Sequence, residues 1–275
     1  MKKIKNTKKA ITVLTAVLLT FLCLASIPNI VLAQQAGYEI EDFRVTTEPT
    51  IDGKWGNSFE WSDSAEAQLI GDVDAIFRIK HDNELITSDI INYYLLIEVL
   101  GETTENPEDI LEICIAASSE TGGTPTGGTE PQTDCVKFDY VGHSQSGFTM
   151  YRGDGSAWVE DTSYSWTTDI LIVSSVDTSP LSDTAHLIYE VRIAAAAFDI
   201  HPEYWIRVAV HDGSNTADSV WPPSSADTPD DWAAVDTINE TIPEFPAWAI
   251  LPMFAVATLS VIVLRKRLTK SGIQP

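Results

Sequence analysis

The sequence predicts an all-β protein, a β-sandwich of jelly-roll type followed by one C-terminal transmembrane helix. Apolar residues in the central part of the chain alternate with polar ones instead of recurring at helical spacing. Gly, Pro, Asn and Asp separate these short runs, as in sandwiches and jelly rolls. We divide the chain into a signal peptide (1–33), a β-sandwich ectodomain (34–221), a Pro- and acid-rich stalk (222–246), a transmembrane helix (247–264) and a cytoplasmic basic tail (265–275).

The first 33 residues have the organisation of a secretory signal peptide. Five lysines precede residues 10–33, which carry no charge, and Val31-Leu32-Ala33 places small residues before a cleavage point at Gln34. An uncleaved signal anchor is the alternative, because 24 uncharged residues are enough to span a bilayer. Both interpretations predict export of the central region.

The C-terminal run from Ala247 to Leu264 contains 18 uncharged residues. As a helix it would be about 27 Å long, close to the roughly 30 Å thickness of a hydrocarbon core. The basic cluster 265–267 follows at once and places the C-terminus inside the cell. The sequence therefore predicts a single-pass protein of the cell membrane with an extracellular body.

The central region is strongly acidic. All 40 Asp and Glu residues lie between Glu39 and Glu244, whereas nine of the 17 basic residues lie in the two terminal segments. Such a surface repels phosphate backbones, so nucleic acid is excluded as a partner. Asn239 begins an Asn-Glu-Thr sequon on the stalk and is predicted to carry a glycan.

Eight runs in the central region have the composition and length of strands. They are 75–81, 93–100, 110–117, 135–141, 147–152, 169–175, 186–193 and 204–211.

The only cysteines after the signal peptide, Cys114 and Cys135, flank a low-complexity loop at 118–133. If they lie opposite each other, Glu112 faces Lys137 on one side of the sheet and apolar residues face each other on the other side. This pairing predicts a disulfide worth about 3 kcal/mol. Two buried free thiols are the alternative.

The end of the stalk, Pro243-Glu244-Phe245, precedes the apolar span and the basic cluster. This order resembles the PEF-CTERM surface-sorting tail of archaeal proteins and covers roughly the last 30 residues. The resemblance implies an archaeosortase as a partner, which would cleave and re-anchor the chain. An ordinary membrane anchor after a Pro-rich spacer is the alternative.

The central region also resembles a family. Residues 50–55 (Thr-Ile-Asp-Gly-Lys-Trp), followed by Glu60-Trp61, are similar to the opening of family 9 carbohydrate-binding modules and of the wider DOMON-like sandwiches. The strand 186–193 with its central Glu, the strand 204–210 and the closing segment 220–232 agree in order. The resemblance covers most of residues 38–235. It implies a jelly-roll-like sandwich, sugar binding by aromatic stacking and, often, structural calcium, while some relatives bind haem b.

Sugar binding needs a flat aromatic face beside polar groups. Alternation along the strand 204–211 places Trp205, Arg207 and His211 on one face, opposite the apolar residues. We take these three residues, with Trp158 in a predicted loop, as candidate ligand-binding residues. A packed outer sheet face is the alternative, and Trp61 is predicted to pack in the core.

Calcium prefers six to eight oxygen ligands. Asp212 and Asp218 lie in a compact polar loop of that type, and Asp72 and Asp74 form a second one, although solvated acid is the alternative for each. Haem b would need a methionine or histidine ligand. Met150 is the only methionine outside the predicted leader and span, and core packing is its expected role.

The sequence contains no Gly-x-Ser-x-Gly elbow, no His-Glu-x-x-His motif and no phosphate-binding loop. It therefore predicts a protein that is not an enzyme. A surface-anchored module that binds carbohydrate or an envelope glycan is the first hypothesis. A structural envelope protein without a ligand and a haem b electron carrier are the alternatives.

Overall fold

The computed structural model describes residues 38–83, 90–117, 125–214, 217–223 and 225–238. These residues form thirteen strands, one short α-helix and two single-turn 3₁₀ helices (Gln145–Gly147 and Pro229–Asp231). The strands are β1 (Glu39–Arg44), β2 (Ala65–Leu69), β3 (Ala75–Asn83), β4 (Ile90–Val99), β5 (Ile110–Ala117), β6 (Cys135–Val141), β7 (Phe148–Gly153), β8 (Trp158–Glu160), β9 (Ile170–Ser179), β10 (Ser182–Ala194), β11 (Glu203–His211), β12 (Ser219–Trp221) and β13 (Ala233–Ile238). The helix α1 spans Ala195–Phe198.

All thirteen strands belong to one hydrogen-bonded sheet. Its order is β8-β7-β6-β5-β11-β13-β1-β3-β4-β10-β9, with β12 added to β11 and β2 added to β3. Strand β1 runs parallel to both β13 and β3, and the other pairs are antiparallel. The prediction of an all-β protein is confirmed.

The sheet curls so that its two halves face each other across one core. The rings of Tyr93 on β4 and Tyr204 on β11 lie 4.8 Å apart, and those of Tyr140 on β6 and Tyr189 on β10 lie 6.3 Å apart. Both pairs join strands that are distant in the sheet order. The alternating apolar side chains of the strands therefore meet inside a half-barrel, because successive residues of a strand point to opposite faces.

Each of the eight predicted strands corresponds to a strand of the structure, with ends that differ by a few residues. The alternating pattern is strongest where one face is buried, and β5 and β6 illustrate this. Ile113 and Phe138 are directly opposite and fully buried in the core, whereas Glu112 and Asp139 on the outer face stay half-buried.

The segment before β2 is held against the outer face of β10 by Glu190. Its carboxylate accepts hydrogen bonds from the backbone N–H groups of Asp52 and Gly53, both at 2.8 Å, and of Lys54 at 3.3 Å. The other oxygen accepts a bond of 3.0 Å from the indole N–H of Trp61. Glu190 and Trp61 are both fully buried, so the prediction that Trp61 packs in the core is confirmed.

The predicted stalk begins too early in the sequence. Residues 222–246 are rich in proline and acid, but β13 lies within this range and pairs with β11 on one side and β1 on the other. Ala233 and Val235 alternate into the core and are buried, which composition alone did not reveal. The domain therefore extends at least to Ile238.

Several sequence predictions concern residues outside the described ranges. They are the signal peptide, the glycosylation site Asn239, the sorting motif Pro243-Glu244-Phe245, the span at 247–264 and the basic tail. Within the described ranges, the structure contains no helix with the length and hydropathy needed to cross a bilayer.

Candidate functional site

A cleft of about 220 Å³ lies on the outer face of the sheet over β11, β13 and β1. Its floor is Ala234 of β13, which is directly opposite Trp205 of β11 and Glu39 of β1. The two flanking strands are about 10 Å apart, since neighbouring strands are separated by about 4.8 Å. A methyl group between two large side chains therefore leaves an open space about as wide as one sugar ring.

Three acidic side chains also line the cleft, together with Tyr204 of β11 and Val235 of β13. Glu203 and Asp236, which are cross-strand partners in the next row of the sheet, line it together with Glu39. Pro125 lines it from a neighbouring loop. Like charges directly opposite each other destabilise a sheet. The lining residues, all in the described part of the chain, include three carboxylates and no basic side chain.

Trp205 is half-buried, as expected for a ring that forms one wall of a cleft. Part of the indole packs against a small cluster on the outer face formed by Cys114, Ala116, Cys135 and Trp232. Gly127 approaches it so closely that an added Cβ would lie 3.4 Å from the ring. The packing holds the indole in one orientation, which reduces the entropy lost when a ligand binds.

Arg207 shares the outer face with Trp205, as alternation predicted, but it is not available to a ligand. It is 5% exposed, and its Nε–H donates to the carbonyl of Ser225 at 3.1 Å. Its guanidinium also pairs with Glu112. Residues 225–227 cross over this part of the outer face and cover the arginine, so the prediction that Arg207 donates to a sugar is wrong in this structure.

His211 also lies on this face, but far from the cleft. It is six residues from Trp205 along β11, which is about 20 Å at the rise of an extended strand. Its Nδ1 lies 2.9 Å from an oxygen of Asp218. His211 and Trp205 therefore share a face of the sheet but do not belong to one site, because the cleft extends over only the first residues of β11.

Trp158 lies on β8, four strands from β11 in the sheet order, which separates the two backbones by about 19 Å. Its side chain packs against the same outer-face cluster as Trp205. The Trp158 ring stacks on Trp232, with centroids 6.4 Å apart. Its N–H donates to the carbonyl of Asp227 at 3.2 Å. Trp158 therefore packs under the segment that crosses the sheet and does not line the cleft.

The predicted disulfide is wrong in this structure, because Cys114 and Cys135 are free and buried. The register is shifted by two residues, so that Cys135 faces Ala116 and Cys114 faces Lys137. A two-residue shift leaves every side chain on its own face, and alternation cannot detect it. The thiols are thus diagonal neighbours, which lie farther apart than directly opposite residues.

The register also places Lys137 diagonally between two acidic side chains. Its Nζ lies 3.6 Å from Glu112 and 3.9 Å from Asp139. Burial raises the pKa of Asp139 to about 6, against the opposing effect of Lys137. Lys137 also lies 3.4 Å from Asp227, and Arg207 pairs with Glu112, so two basic side chains serve three carboxylates where the predicted register paired Lys137 with Glu112 alone.

The two candidate calcium loops lie near each other but engage protein groups. Asp212 is buried and accepts from the backbone N–H of Ser214 at 2.8 Å, and Asp218 contacts His211. Asp72 accepts from the N–H of Ala217 at 3.1 Å. The described ranges contain no group of three or more side chains placed to hold a metal ion, so calcium stays a prediction.

Met150 is 1% exposed and belongs to the main core, where the sequence analysis expected it. It faces the inside of the half-barrel on β7, next to Phe138 of β6. A thioether in that position packs as a hydrophobic group.

Comparison of the chain with protein-family models, with curated proteins and with solved structures finds no match.

Proposed function

We propose that this protein is a cell-surface protein whose all-β domain binds carbohydrate, without catalysis, in the cleft beside Trp205. The observation that carries the proposal is a fixed, half-buried indole beside three carboxylates, over a floor that Ala234 keeps open. Sugar rings present patches of C–H groups that pack on aromatic faces, and their hydroxyl groups donate to carboxylates. The cleft offers both kinds of group within the width of one ring.

The charge of the cleft restricts the class of sugar. Glu39, Glu203 and Asp236 accept hydrogen bonds but repel negatively charged ligands. Neutral sugars and amino sugars are therefore the expected ligands, and uronic acids and sulfated sugars are expected to be rejected. An envelope glycan of the same organism or a neighbouring cell would place such sugars within reach.

The proposal also includes the fold family, the export and the membrane anchoring of the chain. We propose that the curled sheet is a jelly-roll-like sandwich of the DOMON-like type, supported by the way residues 50–61 surround Glu190. Export and anchoring are supported by the sequence pattern of residues 1–33 and 247–264, and recognition by an archaeosortase by the PEF-CTERM-like tail. A structural envelope protein without a ligand is the alternative.

A glycan array probed with the full-length protein tests the proposal, followed by titration calorimetry on the sugars that bind. Trp205→Ala removes the stacking face and is expected to weaken binding by about ten- to a hundredfold. Ala234→Met keeps the indole but fills the floor of the cleft, and it should weaken binding similarly. Phe59→Ala is the control, since it removes an exposed aromatic ring that does not line the cleft.

The proposal fails if no neutral or amino sugar binds. It also fails if Trp205→Ala and Ala234→Met leave the affinity unchanged. Two independent substitutions keep the test sound, because a folding defect in one variant does not affect the other.

A further inference from the structure

A serine, a histidine and an aspartate from three separate segments form a hydrogen-bonded chain at one end of the half-barrel. The Oγ atom of Ser174 on β9 lies 3.0 Å from Nδ1 of His143 in the connection between β6 and β7. The Nε2 atom of His143 lies 2.9 Å from Oδ2 of Asp109, which immediately precedes β5. These distances and this order of groups are those of a nucleophile, a general base and an orienting carboxylate.

The backbone around His143 is held in an uncommon conformation. His143 has a φ of 61° and follows Gly142, which has a φ of 64°. The N–H of Gly142 donates to the carbonyl of Asp109 at 3.0 Å, and a Cβ on Gly142 would lie 2.9 Å from the carbonyl oxygen of Pro107. The surrounding segment thus fixes this turn. Left-handed backbone at a non-glycine residue is uncommon and occurs preferentially at functional sites.

Asp109 is itself fixed by two backbone groups and is 1% exposed. One oxygen accepts from the N–H of Gly213 at 2.9 Å, and the other accepts from the N–H of Asn106 at the same distance. A carboxylate that accepts these bonds also accepts the Nε2–H of His143, which leaves Nδ1 as the acceptor for the hydroxyl of Ser174. The two ring nitrogens are exchanged relative to serine proteases, but either neutral tautomer relays a proton.

Two tyrosines complete the site. The ring of Tyr189 stacks on His143 with centroids 5.6 Å apart, and its fully buried hydroxyl has no hydrogen-bond partner among the described residues. Burial raises the pKa of this hydroxyl well above its usual value, with a smaller effect of nearby Asp109, so it remains a proton donor. Tyr140 is hydrogen-bonded to Ser174. Tyr189 is also the cross-strand partner of Ser174, so its ring lies beside both the serine and the imidazole.

Ser174 is half-buried, and the side chains of its partners His143 and Asp109 are 6% and 1% exposed. Its strand β9 is the last one at its end of the sheet order among the described residues.

We propose that Ser174, His143 and Asp109 form a triad that hydrolyses carboxylic esters. The oxygen of Ser174 bonds to the carbonyl carbon while its proton passes to Nδ1 of His143. The intermediate then expels the alcohol, which takes that proton, and leaves an acyl group on Ser174. Water attacks the acyl carbon, gives one proton to His143, and releases the acid as Ser174 recovers its proton. Asp109 is a positioning residue, because it acts only by holding the imidazole.

The absence of a Gly-x-Ser-x-Gly motif does not oppose this proposal, because triads are defined by geometry and occur on unrelated folds. The site is distinct from the cleft at Trp205, since it joins β6, near one end of the sheet order, to β10 and β9 at the other end, whereas the cleft lies over the middle strands β11, β13 and β1. The two proposals therefore succeed or fail independently.

The test uses the full-length protein with a fluorophosphonate probe and with p-nitrophenyl acetate. We expect the probe to label Ser174, as located by peptide mass spectrometry. Ser174→Ala and His143→Asn should each lower the hydrolysis rate about 100-fold or more. Asparagine is chosen because it tolerates the left-handed backbone at this position. Ser175→Ala is the matched control, because Ser175 is the next residue of β9 and donates instead to the carbonyl of Gly53.

Asp109→Asn should lower kcat for p-nitrophenyl acetate and leave KM within about twofold, whereas a purely structural effect would change both. The proposal is overturned if the unaltered protein is not labelled at Ser174 while a known serine hydrolase in the same assay is labelled. It is equally overturned if Ser174→Ala hydrolyses the ester as fast as the unaltered protein. The labelling result needs no variant, so a folding defect cannot obscure the outcome.

Discussion

Replacement of Glu190 by alanine is expected to release the segment that precedes β2. The carboxylate is fully buried and accepts hydrogen bonds from three backbone N–H groups and from the indole of Trp61. An unsatisfied buried donor costs about 1–3 kcal/mol. Because water can reach some of the exposed donors after the truncation, we expect Glu190→Ala to lower the free energy of unfolding by about 4 kcal/mol.

Urea denaturation of the full-length protein at pH 8, followed by tryptophan fluorescence, measures this loss. Glu190→Gln is the matched control, because it keeps the side-chain volume and one acceptor oxygen, and it should cost about half as much. Amide hydrogen exchange gives a local measurement, since the N–H groups of Asp52 and Gly53 should lose protection in Glu190→Ala while the strands stay protected. A loss below about 1 kcal/mol in Glu190→Ala, with protection retained at those two amides, would refute the reasoning.

Three further outcomes are expected. Burial raises the pKa of Glu190 to about 7 from a reference value of 4.5. The folded state therefore binds this proton more tightly than the unfolded state does. The stability that results, about 3 kcal/mol, is complete below pH 4.5 and is lost as the pH rises through 7. Glu190→Gln should remove that slope in a series of denaturation curves, and an unchanged slope would assign it to other groups. Burial raises the pKa of the Cys114 thiol well above its usual value and that of the Cys135 thiol to about 12. Iodoacetamide should therefore modify neither thiol in the folded protein and both thiols in urea without reductant. A mass that shows no modification in urea would indicate a disulfide. A chain truncated after Asp231 should not fold, because it lacks β13, which pairs with both β1 and β11. Truncation after Ile238 should preserve the fold, and circular dichroism would distinguish the two variants. Folding of both truncated chains would contradict the reasoning that the sheet needs β13.

The strands were predictable because their signal is local. Strands β3, β5 and β11 each turn one apolar face into the core, and their other face carries polar or small side chains at several positions, so the alternation is visible within eight to nine residues. The same reasoning placed Trp205 and Arg207 on one outer face, as the structure has them. It did not reveal β13, because its six residues follow a proline-rich segment whose composition is typical of a stalk.

The pairing of β5 with β6 is an example of a register that a local sequence pattern does not determine. Alternation determines which face a side chain occupies, but a shift of two residues preserves every face. The loop between the two strands is long enough to permit either register. Packing of Trp232 and the position of Lys137 between Glu112 and Asp139 accompany the observed register, and these contacts come from other segments.

By itself, the sequence determined the class of fold, most of its strands, the acidic surface and the face on which each side chain lies, because these properties depend on neighbouring residues. Only the tertiary structure decided which residues meet. The cleft joins Glu39, Trp205 and Asp236, and the triad joins Asp109, His143 and Ser174. Each set comes from three separate segments, and the distance between two such segments depends on the order and curl of the whole sheet, which no local pattern encodes.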